Sequence, residues 1–356
     1  MSGEAIGSRI RRWLGTRPGQ AETRPVRVLA IDGGGIRGIL PAIILAELER
    51  LAGRPTVELF DLVAGTSTGA LLGLALTAPD QHGKPRFGAG DVARLYEIGG
   101  SRVFSRSVWH QIRAVGNLVD EKYPAAGIEE MLDRVFGEVM LSQAMTETLV
   151  PCYDVENRSP FLFTRKAALN GQARDFPMAE VVRAATAAPT FFEPARLAAA
   201  GSKDYHALID GAVIAYNPAI YAYVEAKRLF PEATDFLVVS LGTGQLTRGL
   251  PYDEVKNWGA ARWAQPLFSL MCDGDAAVVE HQLAEILPPG PGGERRYYRF
   301  QGRLTTGSDD MDDASDENID KIKQLGRDMV FKQSETLRLL AGQLSEGVAA
   351  RAVPTS

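Results

Sequence analysis

Residues 65 to 69 read GTSTG, a glycine-x-serine-x-glycine spacing that follows the apolar run FDLVA and opens the helical run ALLGLAL. A serine oxygen becomes a useful nucleophile only when a nearby base takes its proton and nearby donors receive the negative charge its attack creates. A sharp strand-to-helix turn would lift Ser67 onto the top edge of a sheet, and Gly65 and Gly69 leave room for a turn too tight for larger side chains. The chemistry that such a residue supports is acyl transfer from an ester through a tetrahedral oxyanion.

The donors have a candidate in residues 30 to 38, AIDGGGIRG. Gly33, Gly35 and Gly38 formally satisfy the G-x-G-x-x-G pattern of a dinucleotide-binding turn. That reading needs an acid about 20 residues further on, at the end of the following strand. Glu58 has the distance but precedes the strand FDLVAG, and what ends that strand is the serine turn. A glycine run at the carboxyl end of a neighbouring strand, opening a helix whose first N–H groups are unpaired, suits an oxyanion instead.

For the base, the chain offers four histidines, His82, His110, His206 and His281. His281 could follow Asp210 in a Ser-Asp-His order, but it lies in the helical pattern AAVVEHQLAEIL and reads as a helix-surface residue. His206 precedes Asp210 by four residues in one extended run, which separates them by roughly 13 Å. Asp210 itself, in LIDGA, follows an apolar strand and precedes a glycine turn, at the sheet edge where Ser67 should lie. A carboxylate there can take the serine proton directly if burial raises its basicity. An ordinary Asp-Gly turn is the other reading.

These residues must be carried by strands alternating with helices. VRVLAI, FDLVAG, TLVPCYDV, PFLFTRK, HALID, DFLVVSLGTG and RRYYRFQ read as strands. GILPAIILAELERLAG reads as a helix closing on Gly53, GALLGLALTA as a second, and MAEVVRAATAA as a helix ended by Pro189. The pattern predicts a three-layer α/β/α fold with a mainly parallel central sheet, plus a mostly helical region from residue 251 to 356. Residues 1–25 read as an appended arm, with Ile6, Ile10, Trp13 and Leu14 on one side of a short helix and Arg9, Arg11 and Arg12 on the other, and residues 26–250 as the core carrying the motifs. The acidic run DDMDDASDEN fails the EF-hand spacing, because Ala314 stands where a ligand is wanted and Ser315 where the turn glycine should be. It reads as a solvated loop leading into a helix near Ile319.

Apolar residues make up 45% of the chain and charged residues 23%, which places it among ordinary globular proteins. A net charge of −5 lacks the footprint of a nucleic-acid binder. The two cysteines, Cys152 and Cys272, show no metal spacing and suit a reducing compartment. The N-terminal segment has arginines but no apolar run of a secretory signal, and the longest apolar stretch, residues 60–78, is broken by Asp61, Thr66, Ser67 and Thr68. The expectation is a cytoplasmic protein.

Three motifs in order, DGGGIRG, GTSTG and DGA, together with AATAAPTFFEP and SLGTG, resemble the patatin-like phospholipases, and in particular their bacterial members. The resemblance spans about residues 26 to 245 and implies a lipid acyl hydrolase working through a Ser-Asp dyad and an acyl-enzyme, without a metal or other cofactor. It assigns Ser67 as nucleophile, Asp210 as base, and Gly34, Gly35 and Thr68 as oxyanion donors. Gly33, Arg37, Gly38, Gly65, Gly69 and Gly211 would support them. It further implies a phospholipid substrate met peripherally at the inner membrane surface. Some bacterial relatives are activated by cyclic nucleotides in antiviral defence, which leaves open such an activator and a homo-oligomer here. Phe191, Phe192, Val103, Phe104, Trp109 and the stretch WGAARWAQPLFSLM offer apolar material for an acyl groove. The alternative is a catalytically silent lipid- or nucleotide-binding module on the same fold.

Overall fold

The first strand, β1 (Val26–Ile31), is buried along its whole length. Val26, Val28 and Ala30 enter one apolar cluster while Leu29 and Ile31 enter another. The two-residue period of a strand sends successive side chains to opposite faces, so a continuous aliphatic run forces helices onto both sides. The computed structural model, which describes residues 24–103, 126–171, 174–198, 204–308 and 310–346, shows that three-layer α/β/α arrangement. Residues 1–23 of the N-terminal arm, with Arg9, Arg11 and Arg12, and Phe104, Trp109 and His110, lie outside the described residues.

The sheet has eight strands: β1, β2 (Leu62–Gly65), β3 (Glu147–Asp154), β4 (Ser159–Thr164), β5 (Ala195–Ala198), β6 (Tyr205–Asp210), β7 (Phe236–Leu241) and, after the short β8 (Gln245–Leu246), β9 (Tyr297–Phe300). A separate two-stranded pairing joins β8 to β10 (Arg303–Leu304). Within the main sheet the order is β5-β6-β3-β2-β1-β7-β9, with β4 on β3. β1 pairs in parallel with β2 and β7, and β9 extends that parallel set. On one face pack α1 (Ile39–Ala52), α2 (Thr68–Thr77), α3 (Ala89–Val103), α4 (Ala126–Phe136) and α5 (Met178–Ala185). On the other pack α6 (Ala219–Leu229) and the second half of α7 (Ala260–Ile286), through Val279 and Leu283. The chain closes with α8 (Asp316–Lys332) and α9 (Ser334–Ser345), both back on the first face.

One feature of register brings the two chemical motifs together. β2 runs parallel to β3, with Ala64 opposite Leu149, and β6 runs antiparallel to it, with Asp210 opposite Cys152. Leu149 and Cys152 each pair with β4 as well, so β4 occupies one edge of β3 while β2 and β6 share the other. The carboxyl ends of β2 and β6 therefore face each other along a single edge. Three residues of β3 separate them, about 10 Å at strand rise. The site is thus assembled by two strands meeting end to end, and not by two parallel strands ending at one rim.

Several boundaries differ from expectation. α5 stops at Ala185, four residues before Pro189, because the Thr186 hydroxyl turns back to the Val182 carbonyl at 2.8 Å and Ala187 gives its carbonyl to the Asp210 amide at 3.0 Å. β5, β8 and β10 are two to four residues long, too short for a period-two pattern to register in sequence. α8 starts at Asp316, capped by the Ser315 hydroxyl. Among the described residues no helix is long and apolar enough to cross a membrane.

Candidate active site

Ser67 sits at φ 55° and ψ −121°, a left-handed conformation that costs a non-glycine residue free energy and persists only where surrounding structure enforces it. The enforcement is visible. A Cβ on Gly65 would collide with the Gly69 carbonyl, and one on Gly69 would collide with the carbonyl of Ile31 at the end of β1. The Thr66 amide donates to that same Ile31 oxygen at 3.1 Å, and its hydroxyl donates to the Ala215 carbonyl at 2.6 Å. The turn is held from β1 on one side and from the segment after Asp210 on the other. Ser67 remains partly exposed at the head of α2.

Asp210 is buried, its carboxylate accepts from the Ala212 amide at 2.8 Å, and it lines the same pocket as Ser67. Burial pushes its carboxyl up to about 7, against the opposing pull of the nearby Ser67 hydroxyl and the Ala212 amide. A base that titrates near neutrality can both take a serine proton and return it to a leaving group. Gly211 is wedged against the Pro151 carbonyl of β3, which leaves no room for a side chain at the turn following Asp210.

The glycine loop lies beside the serine turn. Among the described residues, the amides of Gly34, Gly35 and Thr68 have no hydrogen-bond acceptor, whereas their neighbours do: Gly33 donates to Tyr216, Ile36 to Met311 and Gly69 to Thr66. Gly35, at φ 58°, also lies so close to the Met311 carbonyl that a Cβ would strike it. Gly34, Gly35, Ser67, Thr68 and Asp210 all line one pocket. Unpaired amides beside a nucleophile are the geometry that an oxyanion requires.

Arg37 is buried. It donates through Nε to the Gly34 carbonyl at 3.3 Å and through Nη2 to the Tyr216 hydroxyl at 3.3 Å. The loop is anchored at its start by Asp32, fully buried and gripped through both oxygens by Arg299 at 2.9 and 2.6 Å. Gly38 abuts Thr68 and Tyr96, whose hydroxyls lie 2.6 Å apart.

Away from the polar cluster the pocket is apolar, walled by Leu71, Val92, Ile128, Phe191, Phe192 and Phe268. Phe191, Phe192 and Phe268 belong to stretches named from sequence. The walls from α3 and α4 do not, since they read only as core. Met311 and Asp312, within the acidic run expected to be a solvated loop, also line the pocket. Sequence reasoning likewise missed Tyr96 and Tyr216, which have no motif of their own, and gave Thr243 no role although SLGTG contains it; all three gain their places by contact.

The remaining candidates separate from the site. His206 bonds Asp154 at 2.8 Å, and His281 is exposed on α7. Glu58 is exposed, paired with Arg54, and lies ahead of β2 where the dinucleotide reading needs an acid at the strand's end. Cys152 and Cys272 are buried free thiols. Among the described residues no His, Cys, Asp or Glu group is arranged to hold a metal ion.

A strained serine turn on a three-layer sheet, sharing a pocket with a buried carboxylate and unpaired glycine amides, is an arrangement that could support acyl transfer through serine. Comparison with known proteins gives the family. Residues 29–223 match the family described as patatin-like phospholipase, and the chain belongs to it. Patatin-like protein 2 of Arabidopsis thaliana is 30% identical over 351 residues, covering 89% of this chain and 86% of its own. The Solanum tuberosum protein named "Probable inactive patatin-3-Kuras 1" is 29% identical over 333 residues, covering 86% of this chain and 87% of its own. Among solved structures, human GIVD cytosolic phospholipase A2 in complex with methyl gamma-linolenyl fluorophosphonate aligns with TM-score 0.44 and 13% identity over 98% of this chain and 65% of its own.

Proposed function

We propose that this chain is a phospholipase A-type acyl hydrolase in which Ser67 is the nucleophile and Asp210 its only side-chain base. The observation that carries the proposal is that Ser67, the buried Asp210 and the unpaired amides of Gly34, Gly35 and Thr68 line one pocket, where burial lifts the Asp210 carboxyl to about 7. Asp210 takes the Ser67 proton as the hydroxyl oxygen bonds to the ester carbonyl carbon. The amides of Gly34, Gly35 and Thr68 receive the oxyanion, each worth about 3 kcal/mol of transition-state stabilisation. As the tetrahedral intermediate collapses, the bond to the lipid alcohol breaks and Asp210 returns the proton to that oxygen, leaving an acyl-enzyme. Water then gives its proton to Asp210 while attacking the acyl carbon, and Ser67 recovers its proton when the fatty acid departs. The apolar walls from α2, α3 and α4 suit the acyl chain.

Ser67→Ala and Asp210→Ala are each expected to abolish fatty-acid release from phospholipid vesicles while leaving the circular dichroism spectrum unchanged. Full release by either variant ends the dyad assignment. Labelling of Ser67 by a fluorophosphonate separates this reading from a catalytically silent binding module, because only an activated serine reacts. A bacterial, cytoplasmic enzyme working peripherally at the inner membrane, as an oligomer switched on by a cyclic nucleotide in antiviral defence, is the finer form of the proposal; the motifs support the family, no motif marks a nucleotide pocket, and the two sequence relatives compared above are plant proteins. Lipid release measured with and without a panel of cyclic nucleotides tests the switch.

A further inference from the structure

A trans peptide holds its carbonyl and its N–H on opposite sides, so whatever fixes one aims the other. No described peptide bond is cis. The Gly33 carbonyl, which shares a peptide with the Gly34 amide, accepts from the Thr243 hydroxyl. The Gly34 carbonyl, which shares a peptide with the Gly35 amide, accepts from the Arg37 amide at 3.2 Å and from Arg37 Nε at 3.3 Å. Both carbonyls are thereby held to one side, and both unpaired amides are turned to the other. Thr243 and Arg37 in turn meet at one group, the Tyr216 hydroxyl, 3.0 Å from Thr243 Oγ1 and 3.3 Å from Arg37 Nη2.

The protons in this chain can run only one way. The single proton of Thr243 goes to the Gly33 carbonyl, so Tyr216 donates to Thr243 and accepts from Arg37. Burial pushes the Tyr216 phenol up to about 12, so it keeps the proton this arrangement needs. The main-chain oxygen of Tyr216 takes the Gly33 amide at 3.0 Å, which removes that donor from the oxyanion side. Tyr216 itself lies six residues beyond Asp210.

We infer that Tyr216 is a positioning residue of the oxyanion hole: its hydroxyl locks Thr243 and Arg37, and through them the two peptides that aim the Gly34 and Gly35 amides. This rests on the hydrolase reading above and adds to it a residue outside the dyad, which also lines the pocket but whose hydroxyl acts through Thr243 and Arg37. Tyr216→Phe keeps the ring and the main-chain contact and removes only the lock.

The test compares wild type, Tyr216→Phe and Thr243→Val on p-nitrophenyl butyrate and with a fluorophosphonate. Tyr216→Phe is expected to lower kcat by about 10- to 100-fold, with KM within about twofold, and to slow phosphonylation of Ser67 by a similar factor. The acid limb of its pH–rate profile stays where wild type has it, since Asp210 is untouched. Thr243→Val is expected to reproduce the loss, and the double variant to be no worse than either single one, because both cut the same chain. A Tyr216→Phe enzyme with wild-type kcat, or with its loss confined to KM, overturns the inference while the hydrolase reading stands. A wild type that neither turns over ester nor labels overturns both. If Tyr216→Phe does not fold, Thr243→Val decides alone: wild-type kcat there refutes the lock.

Discussion

Replacing Asp210 by asparagine should inactivate the protein and stabilise it. In the unfolded chain this carboxyl titrates at its ordinary value, whereas in the fold burial lifts it to about 7. Between those two values the folded state retains a proton that the unfolded state has lost, so raising the pH through this window removes stability. Above the folded value the loss is complete, and a rise of about three in pKa corresponds to about 4 kcal/mol. Asparagine never ionises. Its side-chain oxygen can still accept the Ala212 amide, the contact that Asp210 makes at 2.8 Å. Asp210→Asn is therefore expected to exceed wild type in unfolding free energy by up to about 4 kcal/mol near pH 8, the gap shrinking below about 1 kcal/mol near pH 4. Urea unfolding followed by circular dichroism across that range measures it. A variant no more stable than wild type at the alkaline end, or a gap that ignores pH, refutes the claim that the carboxylate is held desolvated. In the proposed mechanism this free energy is the thermodynamic cost of the site: the burial that destabilises the fold would be what makes the aspartate basic enough to activate a serine.

Because the proposed reaction needs Asp210 as carboxylate, kcat/KM on a soluble ester should rise with pH through a midpoint near 7 and then flatten; a midpoint in the ordinary aspartate range would show a solvated base. Asp32→Asn should cost about 3–5 kcal/mol in urea unfolding, since it leaves the buried guanidinium of Arg299 without its carboxylate, and the joint replacement Asp32→Leu with Arg299→Met should cost less than the single change. Equal stability of Asp32→Asn and wild type would remove that pair as the anchor of the glycine loop.

The residues of the turn and the loop were legible in the sequence because their requirements are local. GTSTG must be glycine-flanked wherever a strand turns into a helix at φ 55°, and DGGGIRG must lack side chains where Gly35 passes the Met311 carbonyl. The aliphatic run of β1 likewise announces a sheet covered on both faces, since period-two burial depends on neighbouring residues alone. Arg37 shows where such reading thins out: its type allowed an exposed charge or a support, and only its surroundings place it among the Gly34 carbonyl and the Tyr216 hydroxyl.

Sequence by itself determined which groups could do the chemistry. What the tertiary structure decided is their meeting, because β6 runs antiparallel and its end at Asp210 faces the end of β2 along one edge of β3, an outcome of the register of two distant segments on a third. Burial of the carboxylate, and the contact of Thr243 with the glycine loop through the pairing of β7 with β1, likewise arise only in the folded chain. Backbone conformation is encoded by adjacent residues, while desolvation and hydrogen-bond partnership exist only once distant segments have packed.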